Sequence, residues 1–203
     1  MLLGLDFDNT LIRYDSLFHR VAREQCLIPD DLPVHKSVVR DYLRQHDQED
    51  EWTRMQGEVY GRRIMEAEPF PGMLKSLQTL RQKNVRVCIV SHKTIAPYAG
   101  PFCDLHQAAH MWLYLHGFFD PDILGWHDDQ IFFELTKADK VQRILDLGCT
   151  HYIDDLPEIL DLLPSHLNRI LFSPAGEDGD TISGWSRMRE WSELTRLLDT
   201  LPS

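Results

Sequence analysis

Short apolar segments alternate with helical patterns along this chain, and this alternation limits the fold more than any other feature. Apolar runs that fit strands occupy residues 2–7, 85–90, 131–133, 152–153 and 169–172. Residues 73–82, 141–145 and 192–201 carry apolar positions at helical spacing, and Gly148 fits the end of the second of these helices. Strands separated by helices are typical of a parallel sheet. The sequence therefore predicts an α/β fold with a doubly wound, Rossmann-like parallel sheet.

The segment from residue 15 to residue 69 breaks this alternation. It contains no convincing strand pattern, and residues 17–26, 34–45 and 51–65 each show a helical pattern. Such a segment is too long for a simple crossover between strands, so we interpret it as a helical insertion after the first strand. The predicted core is thus residues 1–14 and 70–203, and the predicted insertion is residues 15–69. Within it, Gly57 and Gly61 share one helix face, which predicts close packing or a bend, unless the helix is simply weak.

Charge and cysteine content exclude several classes of protein. The 203 residues include 21 Lys and Arg against 32 Asp and Glu, which gives a formal net charge of −11. This balance argues against a nucleic-acid polymer or an anionic membrane as a partner. The four cysteines form no CxxC pair, acidic residues interrupt the first apolar run, and no apolar run approaches the length of a membrane span. We therefore expect a cytoplasmic protein without a membrane span; the sequence does not indicate its oligomeric state.

The first predicted strand ends in two carboxylates, Asp6 and Asp8. Side chains alternate along a strand, so these two residues project to the same side. Ligand sites of open parallel sheets form at the carboxyl ends of the strands, and two carboxylates there repel each other unless a proton or a cation intervenes. Carboxylate oxygens are ligands that suit Mg²⁺, which also binds phosphates. The alternative interpretation is an ordinary solvated turn that is rich in aspartate.

Other chemically active side chains follow the ends of further predicted strands. Ser91 follows residues 85–90, and Asp154 and Asp155 follow residues 152–153. Lys140 lies near the start of the helix that leads into the latter strand. Two acidic pairs, a hydroxyl and a lysine in this order are hard to obtain by chance. The combination therefore favours a catalytic site over a solvated turn.

This order of residues resembles the haloacid dehalogenase (HAD) superfamily of phosphohydrolases. Residues 6–10 match its first motif, DxDx[TV], and Ser91 matches its strand-ending Ser or Thr. Lys140 matches its helix-borne lysine, with Lys137 as the competing candidate, and residues 154–155 match the DD form of its acidic motif. The resemblance covers nearly the whole chain. It implies that the helical insertion is a small α-helical cap in which substrate choice resides.

The resemblance also implies a role for each matched residue. Asp6 would attack phosphorus and form an aspartyl-phosphate, while Asp8 would protonate the leaving oxygen and then deprotonate the attacking water. Ser91 and Lys140 would contact the phosphoryl group. The expected cofactor is Mg²⁺, and its ligands would be Asp6, the backbone carbonyl of Asp8, Asp154, and Asp155 either directly or through water. The candidates for substrate contact are Thr10, Ser91, His92, Lys93 and Arg54.

We therefore expect a Mg²⁺-dependent phosphatase that acts on a small phosphorylated metabolite. Asp8 favours phosphoryl transfer over dehalogenation, because the dehalogenase members of the superfamily protonate no leaving oxygen and lack this second acid. Two alternatives stay open. One is a phosphomutase or phosphotransferase on the same scaffold, which passes the phosphoryl group back to a substrate. The other is a non-catalytic protein that binds a phosphorylated ligand.

Overall fold

A computed structural model describes residues 1–174 and 184–201 of the chain. The helices are α1 (Asp15–Glu24), α2 (Lys36–Gln45), α3 (Glu49–Gly57), α4 (Met73–Gln82), α5 (Leu105–Leu115), α6 (Lys137–Asp146), α7 (Pro157–Leu162) and α8 (Leu194–Thr200). The strands are β1 (Leu2–Leu5), β2 (Ile12–Arg13), β3 (Glu68–Pro69), β4 (Arg86–His92), β5 (Ile131–Glu134), β6 (His151–Asp154), β7 (Asn168–Phe172) and β8 (Ser186–Met188). Helix α3 continues into a π-helical turn, Glu58–Arg62. No described helix combines the length and the apolar character that a membrane span requires.

The larger sheet has the strand order β5-β4-β1-β6-β7-β8, and its neighbouring strands pair in parallel. Strand β1 is central and buried along its whole length, as expected where both faces of a parallel sheet are covered. The strand order reverses at β1, because β4 lies on one side of it and β6 on the other. The predicted doubly wound parallel sheet is confirmed. Strand β8 extends this sheet beyond the sequence prediction, and β2 and β3 form a separate two-stranded sheet.

One face of the larger sheet packs against α6 and α7. A cluster of buried side chains joins Leu2, Cys88 and Tyr152 on the strands to Ile144 on α6 and Ile159 on α7. The alternate strand residues, which point to the other face, are buried as well: they include Leu3, Leu5, Ile89 and Ile153. Because both faces of the sheet are buried, the polar side chains of the predicted site lie at the strand ends.

The described chain forms two compact units. The core unit comprises Met1–Ile12, Pro69–Lys93 and the described part of Gly117–Ser203, and the helical unit comprises Arg13–Glu68 and Thr94–His116. The predicted boundaries therefore need a correction, because residues 94–116 were expected in the core. The physical reason is the packing of α5 within the helical unit, where the Trp112 indole N–H donates to the Ala67 carbonyl over 2.8 Å.

Gly57 and Gly61 lie where a loop of the helical unit packs closely against α3 and the π-helical turn. A Cβ atom on Gly57 would lie 2.7 Å from Pro97 Cβ and 2.9 Å from the Ala99 carbonyl oxygen. A Cβ atom on Gly61 would lie 2.9 Å from Cys103 Sγ. A side chain at position 57 would therefore clash with the backbone of this loop, and one at position 61 would require the Cys103 side chain to shift. Of the interpretations that the sequence left open, which are close packing, a bend and a weak helix, close packing therefore accounts for the two glycines.

Candidate active site

The loop after β1 brings Asp6 and Asp8 to the carboxyl edge of the sheet. The Phe7 carbonyl accepts the backbone N–H of Leu11 over 3.0 Å, which closes a tight loop. Asn9 supplies the left-handed backbone that this loop requires, with a φ of 58°. The Asp6 N–H donates to a carbonyl of β6 over 2.9 Å. Asp6 therefore remains in register with the sheet although β1 has ended.

Asp6 is almost fully buried, and one of its carboxylate oxygens is fixed. Oδ1 accepts a hydrogen bond from the Ser91 hydroxyl over 2.8 Å and from the Lys140 ammonium group over 2.7 Å. Ser91 lies near the end of β4 and Lys140 in the first turn of α6, so two elements hold this oxygen. The other oxygen, Oδ2, has no hydrogen-bond partner within residues 1–174 and 184–201. The orientation of the carboxylate is thus set while Oδ2 keeps its lone pairs.

Lys140 carries the positive charge next to Asp6. Its ammonium group also donates to Asp154 Oδ2 over 2.7 Å, and its side chain is buried. Burial alone would lower the pKa of this ammonium group, but the adjacent Asp6 and Asp154 carboxylates outweigh burial and raise the pKa. Lys140 is therefore a permanent cation at neutral pH.

The structure distinguishes the two lysines at the start of α6. The Thr136 side chain caps the helix by accepting a backbone N–H of its first turn over 3.0 Å. Lys140 shares the buried helix face of Ile144, four residues later, whereas Lys137 is exposed and pairs with a glutamate of α7. Lys140, and not Lys137, contacts Asp6.

Asp154, at the end of β6, uses both carboxylate oxygens in hydrogen bonds. Oδ1 accepts the Leu156 N–H over 2.9 Å, and Oδ2 accepts the Lys140 ammonium group. Burial, together with the charge of Asp6, raises the pKa of Asp154 to about 7, although Lys140 opposes this rise. The ionised form of Asp154 is therefore disfavoured at this site, although Lys140 is adjacent.

Asp6, Asp154 and Asp155 form an acidic group that is close enough to share a metal ion. Each of them offers one carboxylate oxygen, and these oxygens lie within 4.8 Å of one another. A donor set made only of oxygen, with surplus negative charge, fits a hard divalent cation. The Asp8 carboxylate is not part of this group.

Asp8 forms an ion pair with Lys93 that was not expected from the sequence. The Lys93 ammonium group donates to both Asp8 oxygens, over 3.0 and 2.8 Å, and its side chain is 3% exposed. We predicted a substrate contact for Lys93, but the structure turns its ammonium group to Asp8. A signal for this pair exists in the sequence: Lys93 follows Ser91 by two residues, as Asp8 follows Asp6.

The remaining candidates for substrate contact lie in other surroundings. Thr10 is fully buried, so its hydroxyl has no exposed surface for a substrate, and its carbonyl accepts an indole N–H over 3.1 Å. His92 Nε2 donates to a loop carbonyl over 3.1 Å. Arg54 belongs to the helical unit, where it pairs with Glu51 and lines a pocket of about 230 Å³. The Thr10 carbonyl and the His92 imidazole thus have contacts within the core unit, whereas the buried Thr10 hydroxyl has no hydrogen-bond partner among the described residues.

We expect Lys140→Met to destabilise the protein by about 3–5 kcal/mol, because it leaves Asp6 and Asp154 buried without their shared cation. Lys137→Met is the matched control; it removes an exposed ion pair and should change the free energy of unfolding little. Urea unfolding in the presence of a chelator measures both variants without a metal ion to replace the ammonium group. Equal stabilities of the two variants would contradict the central position of Lys140.

Several solved structures share this fold over their whole length. The structure of a dehalogenase aligns with 98% of this chain and 97% of its own, at 15% identity and a TM-score of 0.58. Magnesium-bound YfnB from Bacillus subtilis aligns over 98% of both chains, at 15% identity and a TM-score of 0.55. A HAD phosphatase from Thermococcus onnurineus aligns over 97% of both, at 13% identity and a TM-score of 0.53. No family model and no curated protein sequence matches the chain. The chain therefore has the fold of the haloacid dehalogenase superfamily of hydrolases.

Proposed function

We propose that this protein is a Mg²⁺-dependent phosphatase that hydrolyses a small phosphate monoester through an aspartyl-phosphate on Asp6. The observation that carries this proposal is the arrangement of the Asp6 carboxylate. Ser91 and Lys140 fix one oxygen, and the other has no hydrogen-bond partner in the described part of the chain. An oriented carboxylate oxygen with available lone pairs suits a nucleophile, and carboxylates serve in this role in other phosphoryl-transfer proteins.

The proposed reaction has two steps. In the first, Asp6 Oδ2 attacks phosphorus, and the bond from phosphorus to the ester oxygen breaks. Asp8 gives its proton to the departing oxygen, which leaves as an alcohol. In the second, the Asp8 carboxylate takes a proton from a water molecule, whose oxygen attacks phosphorus. Inorganic phosphate leaves, and the Asp6 carboxylate is restored.

Lys140 and Ser91 would reduce the repulsion between the nucleophile and the anionic substrate. The Lys140 ammonium group, 2.7 Å from Asp6 Oδ1, offsets the charge of the carboxylate and of the phosphoryl group. The Ser91 hydroxyl, 2.8 Å from the same oxygen, turns its proton to a phosphoryl oxygen when a substrate is bound. Both side chains are buried and already oriented, so their placement needs no rearrangement of the backbone.

Asp6, Asp154 and Asp155, together with the backbone carbonyl of Asp8, would hold the Mg²⁺ ion. The all-oxygen donor set within 4.8 Å and the excess of buried negative charge around Lys140 support this assignment. When bound, the ion supplies positive charge that neutralises the phosphate. The magnesium in YfnB belongs to a protein that shares the fold with this chain at 15% identity.

A small phosphorylated metabolite is the substrate class that we propose. The net charge of −11 disfavours a nucleic-acid polymer, whereas a small anion is compatible with it once a lysine and a cation set the local charge. Arg54 stays a candidate for contact with the part of the substrate that does not react. It lines a pocket of the helical unit together with Arg62, Glu51 and Glu58, and its guanidinium group pairs with Glu51.

Asp8 favours phosphatase chemistry over dehalogenation, which the fold also permits because a dehalogenase shares it. Halide leaves as a stable anion and needs no proton, so a dehalogenase has no use for an acid two residues after its nucleophile. A phosphomutase would use the same residues. It differs only in passing the phosphoryl group from Asp6 to the substrate instead of to water.

Phosphate release from a panel of phosphorylated metabolites and from p-nitrophenyl phosphate tests this proposal. We expect Mg²⁺-dependent release by the wild type and a loss of at least about 10³-fold in Asp6→Asn, which removes the nucleophile. Asp161→Asn, an exposed position on α7, is the matched control and should keep the wild-type rate.

Three outcomes of this assay would contradict the phosphatase proposal. Halide release from haloacids without phosphate release would identify a dehalogenase. An isomerised phosphate ester without free phosphate would identify a mutase. An absence of turnover across the panel would leave a protein that binds phosphorylated ligands without acting on them.

Mg²⁺ should raise the Tm of the protein, because a ligand that binds only the folded state stabilises that state. At a hundredfold excess of ligand over Kd, the free energy of unfolding rises by about 2.7 kcal/mol. Asp155→Asn should reduce this increase, since it removes one oxygen of the acidic group with Asp6 and Asp154. Asp161→Asn should keep the full increase. Thermal unfolding with and without millimolar Mg²⁺ measures the effect, and a wild-type Tm that does not respond would contradict the metal site.

A further inference from the structure

Two side-chain contacts repeat with the same spacing at the carboxyl ends of β1 and β4. Ser91 donates to Asp6 over 2.8 Å, and two residues further along both segments Lys93 donates to Asp8, over 2.8 and 3.0 Å. Both contacts join the loop that follows β1 to the carboxyl end of β4, the strand that pairs with β1 in parallel. The pair of Lys93 and Asp8 is therefore an extension of the candidate site.

The Lys93 side chain is held from several directions. Its backbone N–H donates to the Glu134 carbonyl over 2.9 Å, which continues the pairing with β5 past the end of β4. Its ammonium group lies 5.4 Å from the centre of the Phe7 ring, and that ring packs edge-on against Phe133 with 5.7 Å between centroids. With only 3% of its side chain exposed, Lys93 has little freedom to turn away from Asp8.

Asp8 has more freedom than its partner. It lies in the loop after β1, next to Asn9 with its left-handed backbone, and its side chain is 23% exposed. A general acid works only within hydrogen-bond reach of the atom that it protonates, so the direction of its carboxyl group matters. Donation from one ammonium group to both oxygens fixes the direction in which the Asp8 carboxylate points.

We infer that Lys93 is a positioning residue, which holds the Asp8 carboxyl group in the orientation that proton transfer to the leaving oxygen requires. This inference rests on the proposed phosphatase function. It differs from the substrate contact predicted for Lys93 from the sequence, in which the ammonium group would bind the phosphoryl group itself. The two roles respond differently to the leaving group of the substrate.

A comparison of two esters separates these roles. An alkyl phosphate releases a poor leaving group that needs a proton from Asp8, whereas dinitrophenyl phosphate releases a stable phenolate that needs none. We expect Lys93→Met to lower kcat/KM for the alkyl ester by about 10²-fold or more, and for the dinitrophenyl ester by less than about tenfold. Because kcat/KM reports on the steps up to the aspartyl-phosphate, the hydrolysis of this intermediate does not affect the comparison.

A double-mutant cycle with Asp8→Asn shows whether Lys93 acts through Asp8. In the Asp8→Asn background, Lys93→Met should lower kcat/KM for the alkyl ester by less than about threefold further. The double variant removes both charges together, which avoids an unpaired buried charge, and its Tm reports whether it folds. Lys93→Arg keeps a charge and several donors, so it should restore part of the activity on the alkyl ester.

The possible failures are distinguishable. Equal losses of Lys93→Met on both esters, or additive effects in the cycle, would overturn the inference and indicate direct contact with the phosphoryl group. Unchanged rates of Lys93→Met on both esters would overturn it too. A wild-type protein that hydrolyses neither ester would contradict the proposed function itself, and the inference would fall with it.

Discussion

One buried ammonium group connects three elements that meet at the carboxyl edge of the sheet. Lys140 reaches from α6 to Asp6, just after β1, and to Asp154, at the end of β6, over 2.7 Å in each case. Without it, the two carboxylates would repel each other in a place that solvent hardly reaches. The same arrangement leaves an excess of negative charge, because Asp155 adds a third acid. The acidic group that Lys140 stabilises at this edge of the sheet therefore also fits a divalent cation.

Much of the site follows from the sequence because the ends of buried strands are easy to recognise. Each short apolar run stops at a polar residue, so Asp6, Ser91 and Asp154 fall at one edge once a parallel sheet is predicted. Lys140 is preferred over Lys137 because it lies on the same helix face as the apolar residue Ile144, four positions later. These are local patterns, and local patterns are what a single sequence displays.

The features that the sequence did not reveal depend on contacts between distant segments. Helix α5 carries an apolar pattern that suits either unit, and the hydrogen bond from Trp112 to Ala67 shows why it belongs with the helices. The ion pair of Lys93 with Asp8 depends on the register of β4 against β1, which the periodicity of one strand does not give. Strand β8 spans three residues, too few for a readable alternation.

Both a dehalogenase and a phosphatase share this fold, so the fold alone does not decide the reaction. The proposed phosphatase mechanism depends above all on Asp6 as its nucleophile. The most direct measurement is to trap the covalent intermediate. The protein is quenched during turnover of a phosphate ester and treated with borohydride, which reduces an aspartyl-phosphate to homoserine, and its peptides are analysed by mass spectrometry. We expect reduction at Asp6 that requires both substrate and Mg²⁺. Phosphate release with Asp6 unmodified, or reduction at another carboxylate, would contradict this mechanism.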